Sequence, residues 1–301
     1  MAPGWGRAVD RAVDRSRAAR AVRRVARWAA PRRRRRGRGL RSRGVEVTEE
    51  FADVVRRDPV PLDEAALLIG MHADPERDPA ASLGRLDDLA ASVPQPSVET
   101  LLATLFGAEG FTGDRDSYYD PRNSYLHQVL ERRRGIPITL SVVAMEVGRR
   151  IGVDLDGIGT PAHFMVRTRE PEPRFVDAFS GGRILDRREM DAFFAAMAPG
   201  IDVAPFLAPL GPLDIVRRIL ANLTAIHRRS GDRDALLWTT QLRTVIPGST
   251  ADDERTFGGA LAASGDFARA AKVLESIVDG GRASDPAREL AEAQRLRARL
   301  N

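Results

Sequence analysis

Residues 135–152 read Gly135-Ile136-Pro137-Ile138-Thr139-Leu140-Ser141-Val142-Val143-Ala144-Met145-Glu146-Val147-Gly148-Arg149-Arg150-Ile151-Gly152. Ile138, Leu140, Val142, Val143, Ala144, Met145 and Val147 leave almost no polar face apart from Glu146 and the Arg149-Arg150 pair, which is the pattern of a helix buried nearly all round. Pro137 suits its first position, where a missing N–H costs no hydrogen bond and φ is already helical. Beyond the helix, residues 154–159, 163–169 and 174–178 are strand-like. Phe164 and Val166 alternate in the second, and Pro161 and the charged turn Glu170-Pro171-Glu172-Pro173 separate the three. A buried helix followed by antiparallel strands is an α+β arrangement.

On the N-terminal side, from residue 47 to about 106, the pattern is helical. Leu62, Ala65, Ala66, Leu67 and Leu68, then Leu83, Leu86, Leu89 and Ala90, recur at helix-face spacing and are broken by Pro75, Pro79, Pro94 and Pro96. A further helix is expected over residues 97–106, a turn-rich stretch from Gly110 to Pro121, and a helix again over 123–133. The last ninety or so residues are helical and repeat: Gly231-Asp232 and Gly265-Asp266 stand 34 residues apart between helical runs, the tetratricopeptide period. In the second copy Phe257, Gly258 and Leu261 face Ala270 and Leu274, while Leu220, Leu223, His227 and Leu236 fill comparable places in the first. So short an array must bury its open face on what precedes it. The expected division is a basic, disordered arm over 1–45, an α+β domain over 46–210 and a helical repeat module over 211–301.

With 301 residues, 43% hydrophobic and 30% charged, the chain is globular in composition, and no run of about 18 apolar residues could span a bilayer. The net charge of +5 conceals an asymmetry. Residues 1–44 hold 16 arginines against Asp10 and Asp14, and the remainder carries 31 basic and 40 acidic residues. Lys272 is the one lysine, so the basic content reflects an arginine-rich composition, and specific nucleic-acid binding is not inferred from it. The arm offers a weak amphipathic contact with anionic membrane through Trp5, Val9, Val13, Val22, Val25 and Trp28. It lacks the apolar core of a secretory signal, so the expected location is the cytoplasm. Cysteine is absent, which removes disulfides, thiolate metal sites and thiol nucleophiles together.

Three blocks carry a resemblance to a known family. They are Tyr118-Tyr119-Asp120-Pro121-Arg122-Asn123-Ser124-Tyr125-Leu126, then Arg132-Arg133-Arg134-Gly135-Ile136-Pro137-Ile138-Thr139-Leu140-Ser141, then Pro161-Ala162-His163-Phe164 followed by Phe175-Val176-Asp177-Ala178-Phe179 and Gly181-Gly182. With the repeats behind them, they resemble the SirB-type branch of the transglutaminase-like superfamily, from about residue 50 to the C-terminus. The resemblance implies a papain/transglutaminase-like core: a buried helix packed on a small antiparallel sheet. It also implies a site made of a cysteine at the helix start, a histidine on one strand and an aspartate on the next. Helix-terminal N–H groups and the imidazole acidify the thiol, and the aspartate orients the ring. The histidine falls on His163 and the aspartate on Asp177, and the nucleophile's place is taken by Pro137, which has no nucleophilic atom.

A hydroxyl could serve instead. Thr139 lies about 200° round the helix from Pro137, whereas Ser141 shares its face about 6 Å further along, so Ser141 is the better candidate. Simpler readings stand beside these. His163 could be a structural hydrogen-bonding residue, and Asp177 could cap a turn before Gly181-Gly182. Tyr118, Tyr119 and Tyr125 read as packing residues with cleft lining as the alternative, and Arg132, Arg133 and Arg134 as a solvated helix end. His72, His127 and His227 are scattered, and no metal or other cofactor is expected. The expectation is a non-catalytic protein-binding or regulatory scaffold, with a protein partner engaged through the repeats or the cleft. Its rival is a cytoplasmic peptidase or amide hydrolase using His163 and Asp177 with Ser141 or water.

Overall fold

The computed structural model of the chain describes residues 40–160 and 163–300. The arm expected over 1–45 lies outside the described residues as far as 39, as do Pro161 and Ala162 of the third sequence block. Residues 40–45 are not part of an unstructured arm but open a helix, Leu40–Val55 (α1). Burial of Val47, Phe51, Val54 and Val55 anchors this helix, and extending an existing helix by a turn costs little.

In chain order there follow α2 (Leu62–Ala73), α3 (Pro79–Ala91), α4 (Val98–Leu102) running into a π-helical turn (Ala103–Ala108), and β1 (Thr112–Gly113). Next come a 3-10 turn (Pro121–Asn123), α5 (Leu126–Arg132), β2 (Arg134–Gly135), α6 (Pro137–Ile151), β3 (Leu155–Thr160), β4 (His163–Thr168), β5 (Phe175–Asp177), β6 (Arg183–Leu185) and α7 (Arg187–Met197). A 3-10 turn (Ala204–Leu207) leads to α8 (Pro212–Ser230), α9 (Arg233–Val245), α10 (Ala251–Ala263), α11 (Phe267–Asp279) and α12 (Pro286–Ala298). Among the described residues, no helix is long and apolar enough to cross a membrane.

These elements form two compact units that interleave along the chain. The first comprises residues 76–114 and 127–209. Its four-stranded sheet has the order β3-β4-β5-β6, each strand antiparallel to the next. α6 packs on β3, β4 and α3, and its apolar side chains from Ile138 to Val147 are buried as their pattern requires, except Met145, which is half-buried. Ile158, Met165, Phe175, Leu185, Met190 and Phe194 form a core between sheet and α7. β6, at three residues, is too short to show alternation in sequence. α7 starts on a reciprocal cap: Asp186 Oδ1 accepts the Glu189 N–H at 2.7 Å and Glu189 Oε2 accepts the Asp186 N–H at 2.9 Å.

The second unit comprises residues 40–75, 115–126 and 210–300. This grouping differs from the linear division expected at residue 210, because α1, α2 and the segment 115–126 cluster with α8 to α12. The turns at the two Gly-Asp pairs share one design. Gly231 and Gly265 take left-handed φ of 72° and 87°, and Asp232 and Asp266 cap the next helix by accepting from Ala235 N–H and Arg269 N–H. Phe257, Leu261, Ala270, Leu274 and Ile277 close one core with Ala293 and Leu296 of α12. In the earlier pair Leu220, Leu223 and His227 are buried, but Leu236 is only half-buried, and Ala235 and Thr239 hold the inner face instead.

Candidate functional site

His163 is the first residue of β4 and Asp177 the last of β5. The β4–β5 register pairs Val166 with Val176 and Arg167 with Phe175, which puts Asp177 opposite position 165, two residues from His163 and therefore on the same face of the sheet. The side chains meet there, His163 Nε2 lying 3.1 Å from Asp177 Oδ1. The same oxygen accepts the N–H groups of Phe179 and Ser180, each at 3.1 Å, and the Asp177 carbonyl accepts from Gly182 N–H. Asp177 thus caps the turn before Gly181-Gly182 and at the same time stands beside the His163 ring. Burial pushes the Asp177 carboxyl up, but the His163 ring and the Ser180 hydroxyl and amide outweigh it and hold the group below its ordinary value. If His163 commits Nε2–H to Asp177, the basic lone pair of the neutral ring sits on Nδ1.

Two phenylalanines fix the imidazole, Phe179 edge-on at 6.4 Å and Phe193 tilted at 5.6 Å. Phe179 in turn lies flush on β1: a Cβ placed on Gly113 would stand 2.5 Å from both the Phe179 ring and its carbonyl oxygen. Gly113 is the parallel ladder partner of Gly135, and a Cβ on Gly135 would meet Thr139 Oγ1 at 2.9 Å. Two positions without side chains thus connect the His163–Asp177 pair, through Phe179, to the start of α6. At that start Ile136 and Pro137 are buried.

Thr139, expected to point away from the helix start, turns its hydroxyl back onto it, accepting from Ile136 N–H at 3.2 Å and donating to Ile136 O at 3.1 Å. Ser141 is fully buried, and its hydroxyl has no hydrogen-bond partner among the described residues. The structure thus brings His163 and Asp177 together, sets Pro137 at the first position of α6, and seals Ser141 inside the helix packing.

The other singled-out residues sort differently. Tyr118, Tyr119 and Tyr125 belong to the second unit; Tyr125 is buried, whereas Tyr119 is exposed beneath the Arg229 guanidinium at 4.3 Å. The arginine run is not a uniformly solvated helix end. Arg132 pairs with buried Asp114 at 3.2 Å, Arg133 takes a left-handed φ of 57° and reaches Glu109, and Arg134 enters β2. Among the described residues, no three His, Asp or Glu side chains gather as a metal site would require. Sequence reasoning gave no role to Phe193 or to the Gly113–Phe179 contact. Both are tertiary contacts, and only the glycine itself hinted at the second.

A family model described as the transglutaminase-like superfamily matches residues 71–221, half of the chain. The chain belongs to the transglutaminase-like superfamily. The match includes the start of α6, His163 and Asp177. Among relatives, a UPF0162 protein of Xylella fastidiosa is 44% identical over 129 residues, 41% of this chain and 46% of that protein. One of Pseudomonas aeruginosa is 29% identical over 217 residues, 68% of this chain and 80% of that protein. F-box only protein 21 of Mus musculus is 30% identical over 130 residues, 40% of this chain and 20% of that protein. The chain thus spans about half the length of the Xylella relative it matches.

Proposed function

We propose that this member of the superfamily is a non-catalytic, protein-binding or regulatory scaffold of the SirB-type branch, in which α8 to α12 act as a tetratricopeptide-like module. One observation carries the reading: the first position of α6, where the superfamily's thiol is expected, is Pro137, in a chain that contains no cysteine. Proline offers no lone pair that could attack a carbonyl, so the orienting pair His163 and Asp177 has nothing to activate at that place. Ser141 does not replace it, since a nucleophile must reach both base and substrate and this hydroxyl is fully buried. The retained pair then serves to hold the cleft's shape, Asp177 by bracing the turn 178–182 and His163 by ordering Phe179 and Phe193.

The hydrolase reading draws on the 3.1 Å approach of His163 to Asp177, which would suit a base that activates water. Both readings are tested by treating the intact protein with a fluorophosphonate probe and with peptide and amide libraries. The scaffold reading expects no labelling and no turnover. Labelling lost in Ser141→Ala, or turnover lost in His163→Ala, would overturn it.

A further inference from the structure

Independently of that reading, the second unit contains a cluster of aromatic and titratable side chains for which the superfamily site has no use. Trp238, in α9, is flanked by two imidazoles. His72, from the last turn of α2, stacks on it at 5.0 Å with planes only 12° apart, and His227, from the last turn of α8, meets it at 5.9 Å and 62°. Tyr125 closes the group, its ring 6.5 Å from the indole and its hydroxyl 3.3 Å from His227 Nε2. α1 joins through Thr48, whose Oγ1 lies 3.4 Å from His72 Nε2. Thr48 donates its single hydroxyl proton to Gly44 O at 2.9 Å, so its oxygen can only accept from His72. Nε2 therefore carries hydrogen, and Nδ1 is the nitrogen left to titrate.

We propose that this cluster is a proton-operated clasp: protonating His72 and His227 loosens the packing around Trp238 and releases α1, α2 and the segment 115–126 from α8 and α9, while the helix pairs themselves persist. Five separate elements meet at Trp238 through these side chains, so a charge placed among them acts on all five. His72 faces a hydroxyl and an indole. His227 faces the Tyr125 phenol and the indole, with Asp232 at the foot of α9 acting on it electrostatically, Asp120 acting on Tyr125, and Arg228 and Arg229 following on its own helix. Burial lowers the His72 imidazole to about 4. His227 is lowered by burial too, against the opposing pull of Asp232. Stacking on the indole face favours an imidazolium and offsets part of that penalty at His72. His227, edge-on and buried, gains less from it.

The chain has three tryptophans, so Trp5→Phe with Trp28→Phe leaves Trp238 as sole reporter in the full-length protein. Its emission maximum and acrylamide quenching are followed from pH 8 to 4, alongside far-UV ellipticity. The expected result is a red shift and increased quenching with a midpoint between pH 6.5 and about 4, at nearly constant ellipticity, and no such shift when His72→Gln and His227→Gln are added. An emission maximum that stays flat, that moves only together with ellipticity, or that shifts equally in the double variant would overturn the proposal. Because the double variant could fold poorly, the imidazole Cε1–H resonances of the otherwise native chain give a second reading. Both histidines titrating near 6.5 would contradict the clasp, and both titrating clearly lower supports it.

Discussion

His163 and His72 are both packed against aromatic rings, yet only one has a carboxylate. His163 sits 3.1 Å from Asp177, a carboxylate that the turn behind it also holds. His72 meets a hydroxyl oxygen and an indole. The first environment sets the ring's direction by a carboxylate; the second disfavours charge on the ring through burial. A histidine beside an aspartate has its ring direction set by a carboxylate, whereas in the proposed clasp a histidine among aromatics makes packing depend on pH. The two regions also differ in how they are held. The His163–Asp177 region depends on close tertiary contacts through glycines, while the helical unit depends on caps and turns written in a few adjacent residues.

The sharpest way to break this contrast is Gly113→Val. Its Cβ would stand 2.5 Å from a backbone carbonyl as well as a ring, and a carbonyl in a braced turn cannot move aside cheaply. The expected cost is at the upper end of the usual ~1–3 kcal/mol for overpacking or above it. It should appear as a lower thermal midpoint together with loss of the His163–Asp177 approach, followed by imidazole NMR. Ala270→Leu probes the other region. Ala270 is wholly buried among Phe257, Leu261 and Leu274, and the larger side chain should cost about 1–3 kcal/mol without altering the His163 resonances. A neutral outcome would mean that α10 and α11 do not pack through this position.

Acid should distinguish the regions by window. Asp177 has a folded pKa below the ordinary 3.8, so its contribution is complete above that value and is lost as pH falls through the lowered one. In Asp177→Asn the neutral-pH stability should drop and this acid limb should flatten. His72, neutral down to about 4 when folded against 6.5 when not, costs stability earlier, progressively between pH 6.5 and about 4, and His72→Gln should remove that slope. Urea midpoints at half-unit pH intervals would separate the two limbs. The smallest effect is expected from Ser141→Ala. Removing a buried hydroxyl that has no partner should be neutral or stabilising by up to about 1 kcal/mol, and a clear loss of stability would show that the hydroxyl is bonded.

How much could be read in advance follows the same contrast. The α6 pattern, the proline at its start and the two Gly-Asp turns were legible because each depends on neighbours within one or two helical turns. His163 and Asp177 could be named only through the family resemblance, since nothing local says that strand ends 14 residues apart place their side chains on one face. β6 was missed for its brevity. α7 was missed although Asp186-Arg187-Arg188-Glu189 carries the start signal that the structure uses. The grouping of α1 and α2 with α8 to α12 was illegible in principle, because Thr48, His72 and Trp238 meet only in space.

The proposed function rests on Pro137 standing where the superfamily's thiol would stand, which we propose is within reach of the His163–Asp177 pair. Pro137→Cys tests it most directly. The first helical position needs no proline to fold, and the chain has no other cysteine to react. Alkylation rate measured against pH should reveal a thiol more acidic than the ordinary value of about 8.5, since the α6 N-terminus and a neighbouring imidazole both favour thiolate. Adding His163→Ala should raise that apparent pKa again. A thiol titrating near ~8.5 with or without the imidazole would show that the two positions do not meet, and would contradict the account of this site.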